Sequence, residues 1–267
     1  MGADIKKLRT RLKSVDSTMH LTKAMGLVAS SKIRRAIEGM QNGREYEQAV
    51  RAAIEPLLTS PDCRTSPYLR VGDGDRLCLV VIAGDRGLAG GYNANIFRAL
   101  REYPRADVIP IGKRVHDRFA GELLYAEHFD YASARALSER LCRDFVEGKY
   151  DRIGILCTRY ISMMSQEAEI RMIFPLERSA EASKASAVFE PDELTVLDAA
   201  IPEYVAGMLV SAVRESFASE VAARRCAMDS AGKNAQEMID ELQLEYNRAR
   251  QGAITQEITE IVAGSGM

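Results

Sequence analysis

Both ends of this chain admit a long helix, and no small domain could bury either one. Residues 1–57 hold no proline before Pro56 and, beyond Gly2, only Gly26, Gly39 and Gly43 as glycines, so little interrupts a helix there. Apolar residues fall at Ile5, Leu8, Leu12, Val15 and Met19 in alternating steps of three and four. The rhythm returns at Ala29, Ile33, Ala36 and Met40, and again at Val50, Ile54 and Leu57 after the charged Glu47. That is a coiled-coil seam with breaks between its stretches. A helix of this span would run roughly 80 Å at the usual rise per residue and needs a partner helix.

The partner lies at the other end. Residues 203–262 contain no proline and only Gly207, Gly232 and Gly252 as glycines. Ala235, Met238, Leu242, Ala249, Ile254, Ile258 and Ile261 recur mostly at three or four residues. Charge supports the pairing: residues 1–35 carry nine basic side chains against Asp4 and Asp16, whereas residues 236–260 carry six acidic ones against Arg248 and Arg250. Opposite blocks on paired helices help set partner and orientation. The expectation is one antiparallel coiled coil with an N-terminal arm over 1–58 and a C-terminal arm over 203–264.

Between the arms the period changes. Leu77 to Ala83 is an unbroken apolar run ending at Gly84, as in a strand buried on both faces. Helical spacing follows over 93–103, a short strand over 108–111, a helix over 113–120 and another over 132–147 that Gly148 ends. Strands are expected again over 153–158 and, antiparallel or at an edge, over 169–174. Strands alternating with helices imply a mostly parallel, Rossmann-like α/β domain over 75–176. Residues 177–202 read as a connecting loop. The fold class is therefore α/β: a long antiparallel two-helix coiled coil from the chain termini, with the α/β domain inserted between its arms.

Chemical motifs are few. The five cysteines and three histidines show no C-x-x-C pair and no His at ligand spacing, which leaves metal sites and disulfide frameworks unsupported. No G-x-S-x-G elbow is present. The segment Gly84-Asp-Arg-Gly-Leu-Ala-Gly-Gly91 stands between a strand and a helix, where phosphate-binding loops sit. Its spacing matches neither G-x-G-x-x-G nor G-x-x-x-x-G-K-[ST], and a tight turn accounts for its glycines equally well. The basic run Lys6, Lys7, Arg9, Arg11, Lys13 has no interleaved aromatics, so a helix surface is favoured over a nucleic-acid contact. No stretch approaches 18 uninterrupted apolar residues. The start lacks the apolar core of a signal peptide, which predicts a cytoplasmic chain. From these patterns alone, a nucleotide-dependent enzyme and a coiled-coil scaffold both stay open.

Three separated segments resemble the γ subunit of bacterial F-type ATP synthases. The first runs from Ile5 to Val15, then Leu21-Thr-Lys-Ala-Met25 and Val28-Ala-Ser-Ser-Lys-Ile-Arg-Arg35. The second is Asp85-Arg-Gly-Leu-Ala-Gly-Gly-Tyr-Asn93, with Ile161-Ser-Met-Met-Ser-Gln166 later. The third is Ala218-Ser-Glu-Val-Ala-Ala-Arg224, Met238 to Leu242 and the long run Tyr246 to Val262. The resemblance covers essentially the whole chain and is weakest over 104–150 and 175–200. Where some relatives carry Glu, Ala206 stands here, and Gly232 interrupts the rod helix.

The resemblance implies a central rotating shaft, present once per complex, that couples proton or sodium flow through the c-ring of Fo to ATP synthesis or hydrolysis at the β-subunit sites. Its implied partners are the α and β subunits of the α3β3 ring, the ε subunit and the c-ring. No catalytic residue, metal or cofactor is implied, and neither a nucleic-acid partner nor a transmembrane segment. The implied location is peripheral, on the cytoplasmic face of the bacterial cell membrane. Residues implied to meet β are Lys23, Met25, Arg250, Gln251, Thr255, Glu257, Ile258 and Ile261. Tyr204 is implied at the foot, near ε and the c-ring.

Overall fold

A computed structural model describes residues 2–72, 74–177 and 189–265. They form two compact units: one contains the chain up to Ser30 together with the chain from Arg224, and the other runs from Ser31 to Ala223. The long helices α1 (Gly2–Thr59) and α5 (Glu193–Ser265) contribute to both.

In the larger unit, a four-stranded sheet has the order β2-β1-β3-β4, formed by β1 (Leu77–Ile82), β2 (Asp107–Ile111), β3 (Arg152–Tyr160) and β4 (Gln166–Phe174). β1 runs parallel to both β2 and β3, while β4 returns antiparallel along the edge. All six residues of β1 are buried, and their alternation feeds two cores. Cys78, Val80 and Ile82, with Ile153, Ile155 and Cys157 of β3, join a cluster that includes Leu137, Leu141 and Phe145 of α4 (Tyr131–Val146) and Ile201, Val205 and Leu209 of α5. Leu77, Leu79 and Val81 meet Ile96 and Leu100 of α2 (Tyr92–Leu100) and Val115 of α3 (Lys113–His116). Asp130 caps α4 by accepting from the Ser133 N–H at 2.8 Å. α3 is only one helical turn, although turn hydrogen bonds continue as far as Phe119.

α5 starts ten residues before the expected boundary. Of the predicted loop 177–202, residues 178–188 lie outside the described residues, and 193–202 are helix. Asp192 accepts from the Thr195 N–H at 2.9 Å and from its hydroxyl at 2.8 Å, an N-cap that starts the helix upstream of Pro202. An internal proline costs about 3 kcal/mol. Complete burial of Leu197, Ile201, Val205 and Leu209 on one side of the helix offsets it. α5 is long and apolar enough to cross a membrane by length and composition, but 67% of its most apolar window is buried in this fold, as in a core helix.

The smaller unit pairs the N-terminal part of α1 with the C-terminal part of α5. A Cβ on Gly26 would lie 3.5 Å from the Met228 Cβ, and one on Gly232 would lie 3.8 Å from the Thr22 hydroxyl. The Ser30 hydroxyl accepts from Arg225. Positions opposite one another descend on α5 as they ascend on α1, so the pairing is antiparallel. The same register sets Met19 opposite Ala235, Leu12 opposite Leu242 and Ile5 opposite Ala249, all partly or fully buried.

Two expectations about the seam change. The apparent breaks in α1 are filled by Thr22, Gly26, Gly43 and Glu47, all buried or half-buried at heptad positions, so the rhythm of three and four runs unbroken from Ile5 to Leu57. On α5, Met238 is exposed and its neighbour Ile239 is half-buried. The seam there runs Ala235, Ile239, Leu242, Tyr246, Ala249, Ala253, because only this series keeps the alternating step.

Phe145 is fully packed at 2% exposure and stacks on Phe174 at 4.7 Å between ring centroids. Phe145→Ala is expected to cost about 3–5 kcal/mol, read as a lowered urea midpoint, whereas Val146→Ala, at a 40% exposed neighbour, changes it by less than about 0.5 kcal/mol.

Candidate functional site

Four regions carry the residues that the sequence singled out: the C-terminal end of α5, the groove beside Gly26, the core around Tyr204 and the glycine-rich loop. α1 begins at Gly2, and the observed register sets that residue opposite Gly252. From Ile254 to Gly264 every residue of α5 is exposed. Ile254, Ile258 and Ile261 are 47%, 56% and 69% exposed, and Arg250, Gln251, Thr255 and Glu257 are also exposed. Polar side chains here are tied along the helix itself. The Thr255 hydroxyl donates to the Gln251 carbonyl at 2.9 Å, and Gln256 donates to Glu260 at 2.8 Å. Arg250, Ile254, Glu257 and Ile261 share one face by spacing, with Gln251, Thr255 and Ile258 about a quarter turn around.

Lys23 and Met25 do not join that group. In the observed register Lys23 lies opposite Ala231, nineteen residues before Arg250, or roughly 30 Å along the helix. The expected contact set thus splits into two levels. Lys23 is exposed and Met25 half-buried. Lys23 lines a groove of about 500 Å³ with Gly26, Leu27, Arg225, Met228 and Lys233. The facing Gly26 and Gly232 supply no side chain to fill it.

Tyr204 is a core residue, only 6% exposed and part of the main apolar cluster, and burial pushes its phenol up. The ring therefore sits in the core, whereas the resemblance implied a contact at the foot. The neighbouring Glu203 is the more exposed group, ion-paired to Arg135 and hydrogen-bonded to the Tyr131 hydroxyl.

The glycine-rich loop is built to hold itself. The Asp85 carboxylate accepts from the N–H groups of Lys113, Ala126 and Glu127 at 3.0, 3.2 and 2.9 Å. The Asn93 side chain accepts from the Gly84 N–H at 3.0 Å and donates to the Arg86 carbonyl at 3.3 Å. A Cβ on Gly84 would come within 2.9 Å of the Glu220 carboxylate. A bound phosphate would thus meet carboxylates where an anion site presents free N–H groups. The turn also holds Leu88 at a φ of 62° and Gly90 at 56°. Leu88 is 64% exposed, a left-handed apolar residue that composition and spacing gave no means to find.

No nucleophile emerges among the described residues. Burial pushes the thiols of Cys78, Cys142 and Cys157 to about 12, so they stay protonated, and no group of His, Cys, Asp and Glu there could hold a metal.

Comparison with known proteins points one way. A family model described as ATP synthase matches residues 4–266. The ATP synthase gamma chain of Ruminococcus albus is 38% identical over 281 residues, covering 98% of each chain. That of Phenylobacterium zucineum is 37% identical over 286 residues, covering 98% of this chain and 99% of the relative. A chain of the Euglena gracilis mitochondrial ATP synthase, solved with OSCP, F1 and c-ring, superposes with a TM-score of 0.71 at 21% identity, covering 98% of this chain and 94% of that one. A chain of the Tetrahymena thermophila central stalk and c-ring gives 0.64 at 21% identity, covering 79% and 99%.

The loop geometry predicts that the full chain, titrated with ATP or NAD, shows no dissociation constant tighter than about 100 µM; micromolar binding would restore the nucleotide reading. Gly84→Ala is expected to destabilise by about 1–3 kcal/mol. Gly39→Ala, whose Cβ meets nothing within 4 Å, is expected to stabilise α1 by about 0.5–1 kcal/mol. Urea midpoints of the two variants check both signs.

Proposed function

This chain belongs to the ATP synthase γ-chain family, and we propose that, as the central shaft of an F1Fo ATP synthase, it transmits torque and performs no chemistry of its own. Ion flow turns the c-ring, and the shaft turning with it drives the β-subunit sites through substrate binding, ATP formation and release. Its location is the cytoplasmic face of a bacterial cell membrane, held there peripherally through its partners.

The observation that carries the reading is the end of α5. A helix end that exposes Ile254, Ile258 and Ile261 offers an apolar surface for another chain to surround. In the assembled complex that surface is the sleeve of the α3β3 ring. Apolar contact is non-directional, so the tip turns in the sleeve without a strong charge pair to break, and breaking a buried pair costs about 3–5 kcal/mol. Arg250, Gln251, Thr255 and Glu257 supply polar contacts to β that form and release at each dwell. Lys23 and Met25 meet β at a second, lower level. At the foot, contact with ε and the c-ring falls to the surface around Tyr204, because the ring itself is spent on the core.

The reading is tested by reconstitution with α and β subunits. The full chain is expected to yield a stable α3β3γ particle with sustained ATP hydrolysis. Deleting residues 253–267 is expected to lower turnover or assembly at least about tenfold, equivalent to ~1.4 kcal/mol, while Gln251→Ala alone gives a smaller loss. Unchanged assembly and turnover after the deletion would leave a generic coiled-coil scaffold as the better description.

A further inference from the structure

We infer that Glu215 is a register lock: its carboxylate, held by Arg44 and Arg171, fixes the axial position of α1 against α5 and ties the sheet to both. Glu215 is completely buried on α5, yet it is surrounded by donors from three other elements. Arg44 of α1 donates to Oε1, as does the Tyr160 N–H at the end of β3, at 3.0 Å. Arg171 of β4 donates to Oε2 at 2.6 Å. Arg44 also donates to the Tyr160 carbonyl at 3.3 Å, closing the ring. Arg171 is held a second time by Glu169 at 2.6 Å. Burial alone would push the Glu215 carboxyl up, but the hydrogen bonds from Arg44 and Arg171 outweigh it and hold it below the ordinary carboxylate range.

The seam shows why such a lock is needed. Around Glu215 the helices meet through small residues. Gly43 lies against Ser211, with a would-be Cβ 3.3 Å from the Ser211 Cα, and the same register sets Ala36 opposite Ala218. Ala36, Ala218 and Ser211 are 6% exposed or less. Small residues recur every seven positions on both helices, at 29, 36 and 43 on α1 and at 211 and 218 on α5. A slip of one heptad would again lay small residues on small ones, and the apolar pattern penalises it little. The bulkier Ile33 and Met40 between them repeat at the same seven-residue spacing, so a one-heptad slip puts one in the place of the other. A buried polar group specifies register where apolar packing does not. Only in the observed register do Arg44, Glu215 and the Tyr160 backbone meet. Glu215 is thus a positioning residue for torque transfer: it touches no substrate and keeps the two arms and the sheet from shearing.

The test is disulfide trapping in the full chain, alone and assembled with α and β, with Cys226→Ser removing the one cysteine that is not buried. Gly26→Cys with Met228→Cys reports the observed register, their Cβ positions being 3.5 Å apart, which suits a disulfide. Gly26→Cys with Ala235→Cys reports the heptad-shifted register and should not close when Glu215 is present. Glu215→Gln removes the charge. The triple variant Arg44→Met, Arg171→Met, Glu215→Leu removes the network but fills its space with apolar atoms, which tends to preserve folding. The lock predicts that at least one variant raises closure of the shifted pair about tenfold relative to the observed pair. In the α3β3γ complex that variant also hydrolyses ATP more slowly than the unsubstituted chain. Closure of the observed pair alone in both variants overturns the proposal. Loss of both cross-links in both variants overturns it too, since that is collapse rather than slip. Because trapping is read on the unassembled chain as well, failure to assemble would count against the shaft reading and leave the lock separately decided.

Discussion

Two helices from opposite ends of one chain stay together only if each presents a continuous stripe to the other, and here the stripe is thin. Its members alternate between bulky residues, such as Met19, Met40 and Leu242, and residues with almost no side chain, such as Gly26, Ala36 and Gly43. Thin packing brings the backbones close and makes a slender pair. It also yields little buried area per turn, so the hydrophobic effect alone holds the pair weakly and fixes its register poorly. The remaining architecture supplies what the seam lacks. The α/β sheet packs Ile155 and Cys157 against Val205 and Leu209 of α5, and a buried carboxylate ties α1, α5 and two strands at one point.

That arrangement divides the chain's polar groups by task. Within the larger unit, two carboxylates are held directionally: the buried Glu215 between two arginines, and the half-buried Asp85 on three backbone N–H groups. At the α5 tip, charge is exposed and paired only along the helix, as in Gln256 with Glu260. Buried, fully satisfied networks rigidify, whereas exposed ion pairs contribute at most about 1 kcal/mol. Polar groups in the sheet region are therefore held in place, while those at the tip are tied only weakly.

The two arms and the positions of the strands were legible in the sequence because each leaves a local period: three-and-four steps over Ile5 to Met19, an unbroken apolar run over Leu77 to Ala83. Failures came where a position's role depends on residues distant in the chain. Thr22, Gly26 and Glu47 look like seam breaks, since a polar or small residue scores as non-core whatever faces it. Met238 and Ile239 are both apolar, and only the register set by α1 selects Ile239. Residues 193–202 read as loop because the cost of Pro202 is visible in sequence while the burial of Leu197 and Ile201 that offsets it is not. Tyr204 reads as a surface contact by resemblance, but its burial depends on the fold of this chain. Likewise, nothing near Glu215 in the sequence announces Arg44 or Arg171, which lie 171 and 44 residues away.

At the end of the seam the apolar pattern changes face. From Ala253 the heptad step would continue to Gln256 or Glu257 and then Glu260, and charged or polar residues at those places end any stripe meant for α1. The apolar residues do not stop, however; they move one position over, to Ile254, Ile258 and Ile261. One position on a helix is a rotation of about 100°. Even a longer α1 would not cover this second stripe, because it points elsewhere. A frayed tail would have no reason to keep a three-and-four rhythm after leaving the seam. Rotated away from the seam and exposed, the second stripe follows a pattern that packing against α1 does not account for.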